Sequence, residues 1–406
     1  MNHRFLIPLV LCLSVSWSAE AQVEVLNKCN LSSDFLIGMR VGEKIYAKDT
    51  VRQGKLRYKL DPGIYALVRQ GVLLGDFIVT ESEQLQLVVY CDSIAAPQSE
   101  VNNVFSKFIK SPDTVKAGIY SSAQGPAKQV LGWCYPQLVV PSLPKEQLTS
   151  MGLNAFFVEY LRSSEPFLAN SPFFELNLEY YYSQLINQEA DTLIKYIPRL
   201  ESALTPTNKQ YLQRLTLHRF ESSKVLGHEN VFIDVALRTI GKGATLFDSA
   251  TDAGVLLKSK QLFPNRIGTQ VSDFKIRYLD GREATLLGSE GLYKLIVFYD
   301  PDCHHCKESF PAVKSFAQEF RDKGVVVYAV STGLDRQELD AFIAQFGNEP
   351  NLKYVWDPNI QAKTFRDFYH IPSTPTIYLI NQSGTCLARS VAAAELRAIF
   401  NHIINN

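Results

Sequence analysis

Of the seven cysteines in the chain, two lie close together: Cys303 and Cys306, with His304 and His305 between them. A thiolate at the first position can attack a disulfide. A second thiol nearly one helical turn on can then attack the mixed disulfide and release its partner. Such a division of labour needs an exposed, acidic thiol at Cys303 and a sheltered one at Cys306. A helix beginning at this point supplies the acidity, because its unpaired N–H groups and partial positive charge favour a thiolate. Imidazolium at His305 or His304 would lower the thiol pKa further and incline the pair towards a more oxidising potential. The plain alternative for either histidine is a ring that points to solvent.

The elements needed to hold such a pair are present in the surrounding pattern. Residues 295–299 are a continuous apolar run, suited to a buried central strand that ends just before Cys303. Cys306, Phe310, Val313, Ala317 and Phe320 then recur every three or four residues, as one face of a helix does. Ahead of this, residues 274–278 and 285–287 flank Asp280-Gly281 and read as a hairpin. Behind it, residues 325–330 read as a second buried strand, and 336–346 and 360–368 as helices. Residues 376–380 and 385–390 follow as paired strands, and 393–404 as a closing helix. Strands alternating with helices imply an α/β sheet with helices on its faces.

The upstream sequence differs in kind. From residue 23 to 91, short apolar runs are punctuated by turn signals such as Asp61-Pro62-Gly63, which predicts a small antiparallel β-sandwich. Cys29 and Cys91 stand near its two ends, either bridged, first strand to last, or as two buried thiols. Residues 99–264 carry apolar residues at helical spacing, with breaks expected at Glu165-Pro166 and Thr205-Pro206-Thr207. Tyr180, Tyr181 and Tyr182 read as packing between helices. Cys134 and Cys386 read as ordinary buried thiols. The expected organisation is therefore multidomain: a signal peptide over 1–21, a β-sandwich-like domain over 22–95, a helical domain over 96–264 and an α/β domain over 265–406.

The chain's 406 residues are too many for one ordinary core. Its 41 basic and 41 acidic residues cancel, so no basic excess exists to drive nucleic-acid binding. At the N-terminus, Arg4, an apolar run over 5–15 and Ser18-Ala19-Glu20-Ala21 have the form of a cleaved export signal. Leu11 is too bulky to precede a lipidated cysteine at Cys12. No later segment reads as a membrane helix, so the mature chain is expected in an extracytoplasmic space such as the periplasm.

Residues 265–406 resemble the TlpA/ResA branch of thioredoxin-like proteins. The matching features are Phe298-Tyr299-Asp300-Pro301-Asp302-Cys303-His304-His305-Cys306, Phe310-Pro311, Asp357 after a strand, and Ile371-Pro372-Ser373-Thr374-Pro375-Thr376. The resemblance implies a thioredoxin-like fold and disulfide exchange in the bacterial envelope. It also implies a cis-proline at Pro375 that, with Thr374, positions substrate opposite the cysteines. Upstream, the order of a β region and a helical region resembles that of thioredoxin-like envelope proteins of Bacteroidota. Two departures stand out. Tyr299 fills a slot commonly held by tryptophan, and Ser309 falls where related reductases carry glutamate, with Glu308 beside it.

Thiol-bearing or disulfide-bearing envelope proteins, and a redox partner that regenerates the pair, are the expected partners. No dissociable cofactor is required, since the electrons reside in the cysteines. A peroxiredoxin-like peroxidase would need threonine or serine three residues before its cysteine, and Asp300 stands there. A zinc site lacks a second cysteine pair or a nearby His-x-x-x-His to complete it, so no metal is expected. A binding role for the N-terminal domains, with the redox domain secondary, is the non-enzymatic alternative.

Overall fold

The computed structural model describes residues 21–29, 35–41, 44–51, 54–80, 84–168, 171, 173–356 and 365–405. The signal-like segment, Asp357 and the first half of the expected helix over 360–368 lie outside these. By internal contacts the chain divides into two compact units, Met1–Gln188 with Thr192–Leu215, and Glu189–Asp191 with Thr216–Asn406.

In the N-terminal unit, two sheets share one core. The first has the strand order Gly54–Leu60, Ala21–Asn27, Leu85–Val89, Ile94–Ala95, and the second Lys44–Val51, Phe35–Val41, Gly63–Arg69, Val72–Val79. Val23, Val25, Leu85 and Leu87 of the first sheet and Phe35, Ile37, Tyr65 and Phe77 of the second fill the space between them. The sandwich is not wholly antiparallel, because Ala21–Asn27 runs parallel to Leu85–Val89 in the register Asn27↔Val89. Parallel pairing brings both C-terminal ends together, and two residues beyond them Cys29 and Cys91 are bridged at a Cα–Cα distance of 4.8 Å. Alternation within short strands fixes which face is buried and leaves their direction open, so this pairing escapes a sequence reading.

Helices follow from Glu100–Lys110 onward, the first capped by the Ser99 side chain on the Asn102 N–H. Pro206 opens the helix Pro206–Glu221, where its missing N–H costs nothing. The break expected at Glu165-Pro166 falls later, since the helix Ser150–Leu168 runs through both residues. A proline in a final turn removes only one hydrogen bond before the helix stops. Among the described residues, no helix is long and apolar enough to cross a membrane.

The C-terminal unit is built on a five-stranded sheet in the order Leu352–Val355, Val325–Ser331, Tyr293–Tyr299, Thr376–Asn381, Cys386–Arg389. Tyr293–Tyr299 is parallel to Val325–Ser331 and antiparallel to Thr376–Asn381. Its alternating residues serve two cores. Leu295, Val297 and Tyr299 pack with Cys306, Phe310 and Ala317 of the helix His304–Phe320. Ile296 and Phe298 pack on the opposite face with Phe274, Tyr369 and Tyr378. The small hairpin Lys275–Arg277 with Glu283–Thr285 and the closing helix Leu396–Asn405 complete the unit.

The helices His228–Arg238 and Ser249–Leu262 group with this unit, although by sequence character they belong to the helical stretch that ends at 264. Arg389 supplies the reason. Its side chain is 1% exposed, pairs with Glu229, and donates to the Leu262 carbonyl at 2.6 Å. Burying a guanidinium requires such partners. Replacing Arg389 by leucine would strand the Glu229 carboxylate, so urea unfolding of this unit is expected to shift by about 3 kcal/mol. Glu229→Gln, which keeps an acceptor for the guanidinium, is expected to cost less in the same assay.

Candidate active site

The central strand ends at Tyr299, and Asp300–Asp302 turn the chain into the helix. The Asp300 side chain fixes this turn by accepting from the Asp302 N–H at 3.0 Å, while the Asp300 carbonyl accepts from the Cys303 N–H at 3.1 Å. Cys303 is the N-cap residue, with extended backbone, and its carbonyl accepts from the Lys307 N–H at 3.1 Å. The helix therefore starts on the thiol itself. Cys306 lies on the first turn of the core-facing side and is 1% exposed, whereas Cys303 is only partly buried. Both are present as thiols.

Sheet register brings the second half of the site alongside. Because Phe298 pairs with Thr376, the start of one strand meets the end of the other, and Thr374-Pro375 falls beside Cys303. The Cys303 thiol donates to the Thr374 carbonyl at 3.4 Å, and the Thr374–Pro375 peptide bond is cis.

The two thiols are driven apart in acidity. Burial pushes the Cys303 thiol up, but hydrogen bonds from the Thr374 side chain, the Cys306 backbone and thiol, and the His305 backbone outweigh it. Its pKa lies below the ordinary cysteine value. For Cys306 burial dominates, and its pKa is pushed up to about 11. Only thiolate reacts with an alkylating agent, so deprotonation sets the rate. Alkylation of Cys303 is expected to reach its plateau at a lower pH than that of a free cysteine, while Cys306 stays slow until the pH nears about 11. Peptide mass mapping after timed iodoacetamide pulses across a pH series reads both rates.

Of the two placements open to the histidines, the structure shows the solvent-facing one. Both side chains are exposed and face Glu308, His304 Nε2 at 3.2 Å and His305 Nδ1 at 3.4 Å. His305 acts on the Cys303 sulfur through its backbone rather than its ring. At i, i+3 and i, i+4, Glu308 lies on the same helix face as both imidazoles. Tyr299, in the slot commonly held by tryptophan, is fully buried against Phe310 and Phe342, and among the described residues its hydroxyl has no hydrogen-bond partner.

Cys134 and Cys386 are buried thiols, Cys386 with its pKa pushed up to about 12 by burial above all. Neighbours that the sequence reading passes over are Thr332 and Arg366. Thr332 donates its N–H to the Tyr299 carbonyl at 2.7 Å, and its own carbonyl accepts from Arg366 at 3.0 Å. Arg366 thereby stands at the same sheet edge as the cysteines, a position no local pattern announces.

Residues 267–388 match the AhpC/TSA family. The thioredoxin-like protein YneN of Bacillus subtilis is 26% identical over 117 residues, 29% of this chain and 66% of that protein. Thiol-disulfide oxidoreductase ResA of Oceanobacillus iheyensis is 30% identical over 123 residues, 29% of this chain and 62% of that protein. The chain thus spans just under two thirds of the length of these relatives. A solved thioredoxin-like protein from Bacteroides caccae gives a TM-score of 0.37 at 16% identity, covering 57% of this chain and 93% of that one. By the family match and the similarity to YneN and ResA, the C-terminal part of this chain is a thioredoxin-like domain.

Proposed function

We propose that this protein is an exported thiol-disulfide oxidoreductase that works through Cys303 and Cys306. The observation that carries the reading is the contrast between the two thiols: an acidic, accessible one at the helix start and a buried one, raised to about 11, on the same turn. In the reducing direction, the Cys303 thiolate forms a bond with one sulfur of a substrate disulfide, and the other substrate sulfur leaves as thiolate. Cys306 gives up its proton, to which that leaving thiolate is a fitting acceptor. Its sulfur then attacks Cys303 and expels the second substrate thiolate. Two electrons pass from the pair to the substrate, and the pair ends as a disulfide. Oxidation of a dithiol is the same sequence reversed.

Thr374 and Pro375 hold the substrate beside Cys303, and the redox-active pair needs no dissociable cofactor. Substrates are thiol-bearing or disulfide-bearing proteins of the cell envelope, and a separate redox partner regenerates the pair. Export is supported by the signal-like pattern over 1–21 and by the Cys29–Cys91 bridge, a bond that persists in oxidising compartments. Peroxidase chemistry is disfavoured by Asp300, which stands three residues ahead of Cys303. Equilibration of the purified protein in glutathione buffers tests the reading. A reversible two-electron couple lost in Cys303→Ser supports it; a value near about −270 mV marks a reductase and one towards about −120 mV an oxidase or isomerase. Absence of any such couple would end it.

One observation favours a second reading, in which the N-terminal unit recognises a ligand and the redox domain is secondary. A pocket of about 460 Å³ there is lined by Tyr120, Trp133, Phe156 and Tyr160 together with Lys128 and Glu159. Aromatic walls with a few polar groups are how small-ligand sites are built. Unchanged substrate affinity in Trp133→Ala would count against it.

A further inference from the structure

Asp300 is the residue through which the central strand reaches both cysteines. The strand end before it is held, since the Tyr299 carbonyl accepts from the Thr332 N–H at 2.7 Å and from the Thr332 hydroxyl at 3.1 Å. Asp300-Pro301-Asp302-Cys303 then form a turn closed by the Cys303 N–H on the Asp300 carbonyl at 3.1 Å. Aspartate at the first position and proline at the second suit such a turn. Proline presets its own φ, and the carboxylate can accept from the backbone two residues on. Here Asp300 Oδ1 accepts from the Asp302 N–H at 3.0 Å.

A second wall flanks the turn. A Cβ at Gly333 would lie 3.0 Å from Pro301 Cδ and 3.4 Å from Asp300 Oδ1, so the loop after Val325–Ser331 approaches about as closely as glycine permits. The turn also meets the other thiol. Burial raises the pKa of Cys306, and the foremost group opposing it is a hydrogen bond from the Asp300 backbone. Cys306 is 1% exposed, so water does not replace that donor.

We propose that Asp300 is a positioning residue for both cysteines: its carboxylate closes the turn that sets the Cys303 backbone and keeps its own backbone against Cys306. The inference rests on the oxidoreductase reading and adds a residue to that site. Charge and geometry predict opposite results. Asp302, Asp335, Glu338 and Lys307 stand near Asp300, and His304, His305 and Glu308 lie on the helix beyond. A negative charge near a thiol disfavours its thiolate, so losing the carboxylate as a charge would make Cys303 more acidic. Losing it as the closure of the turn makes Cys303 less acidic.

The test uses the full chain, timed iodoacetamide pulses with peptide mapping, and intact mass after mixing with oxidised glutathione. In Asp300→Ala, alkylation of Cys303 at a fixed pH below its plateau is expected to be about tenfold slower. Its mixed disulfide with glutathione is expected to be resolved by Cys306 about tenfold more slowly. Asp300→Asn keeps the acceptor, loses the charge, and is expected to match or exceed the native rates. Unchanged or faster alkylation in Asp300→Ala would overturn the inference, and so would slowing confined to one of the two cysteines. Were Asp300→Ala unable to fold, Asp300→Asn still decides, because slowing there contradicts the role given to the acceptor. Absence of a reversible couple in glutathione buffers would overturn the oxidoreductase reading, while the alkylation rates still decide the place of Asp300.

Discussion

Cys303→Ser is expected to lower disulfide exchange by about 10⁴-fold or more, the scale seen when a nucleophile is removed outright. Serine cannot form the sulfur–sulfur bond on which the sequence of steps depends. Cys306→Ser tells the complementary story. The first attack still occurs, because the groups that make Cys303 acidic include the backbones of residues 305 and 306 and the Thr374 side chain. Resolution does not follow, so a mixed disulfide with the substrate is expected to accumulate. Intact-mass measurement after mixing with a substrate disulfide checks both: no adduct for Cys303→Ser, a stable adduct for Cys306→Ser. An adduct on the Cys303→Ser protein located at Cys306 would show that the roles are reversed.

The second large effect concerns the other cysteine pair. Removing the bridge by Cys29→Ala with Cys91→Ala is expected to destabilise the N-terminal unit by about 4 kcal/mol, since the cysteines are 62 residues apart and a loop of that size gains much entropy when released. Cys29 is 3% exposed and packs in the sandwich core, with Cys91 half-buried against it, so loss of the Cys29 sulfur adds a packing cost. Thermal unfolding with and without reductant measures the shift. Single-alanine variants should resemble the double variant, because either one breaks the bond. The C-terminal couple should keep its potential in these variants, as the two pairs have separate chemistry.

The sequence carries the parts of this architecture that follow from local periodicity. An apolar strand running into Cys303, and a helix whose core face includes Cys306 and Phe310, are visible because burial repeats at the period of each element. The hairpin around Asp280-Gly281 is visible because its turn residues are specific. What escapes is long-range. The parallel direction of Ala21–Asn27 beside Leu85–Val89 leaves no mark in either strand. That both histidines face Glu308 depends on which rotamers win, and residue types alone do not decide that. Arg366 contributes through Thr332, 34 positions away, and its own neighbours in sequence say nothing of it. The placement of Thr374 beside Cys303 is intermediate: the resemblance implies it, and the register of Phe298 with Thr376 is its physical cause.

The Arg389 pair has a practical consequence for anyone cutting the chain into pieces. A fragment starting at 265, where the sequence pattern switches, would carry Arg389 without Glu229 and without the Leu262 carbonyl. It would also lose Asn230, whose amide donates to the Ile267 carbonyl at 2.9 Å. Such a fragment would expose a guanidinium that the native fold encloses and leave it without either partner. Starting upstream of His228 keeps Glu229, Asn230 and Leu262 with the groups they bond. A workable cut is thus set by where a buried charge finds its partners, some forty residues before the family match begins.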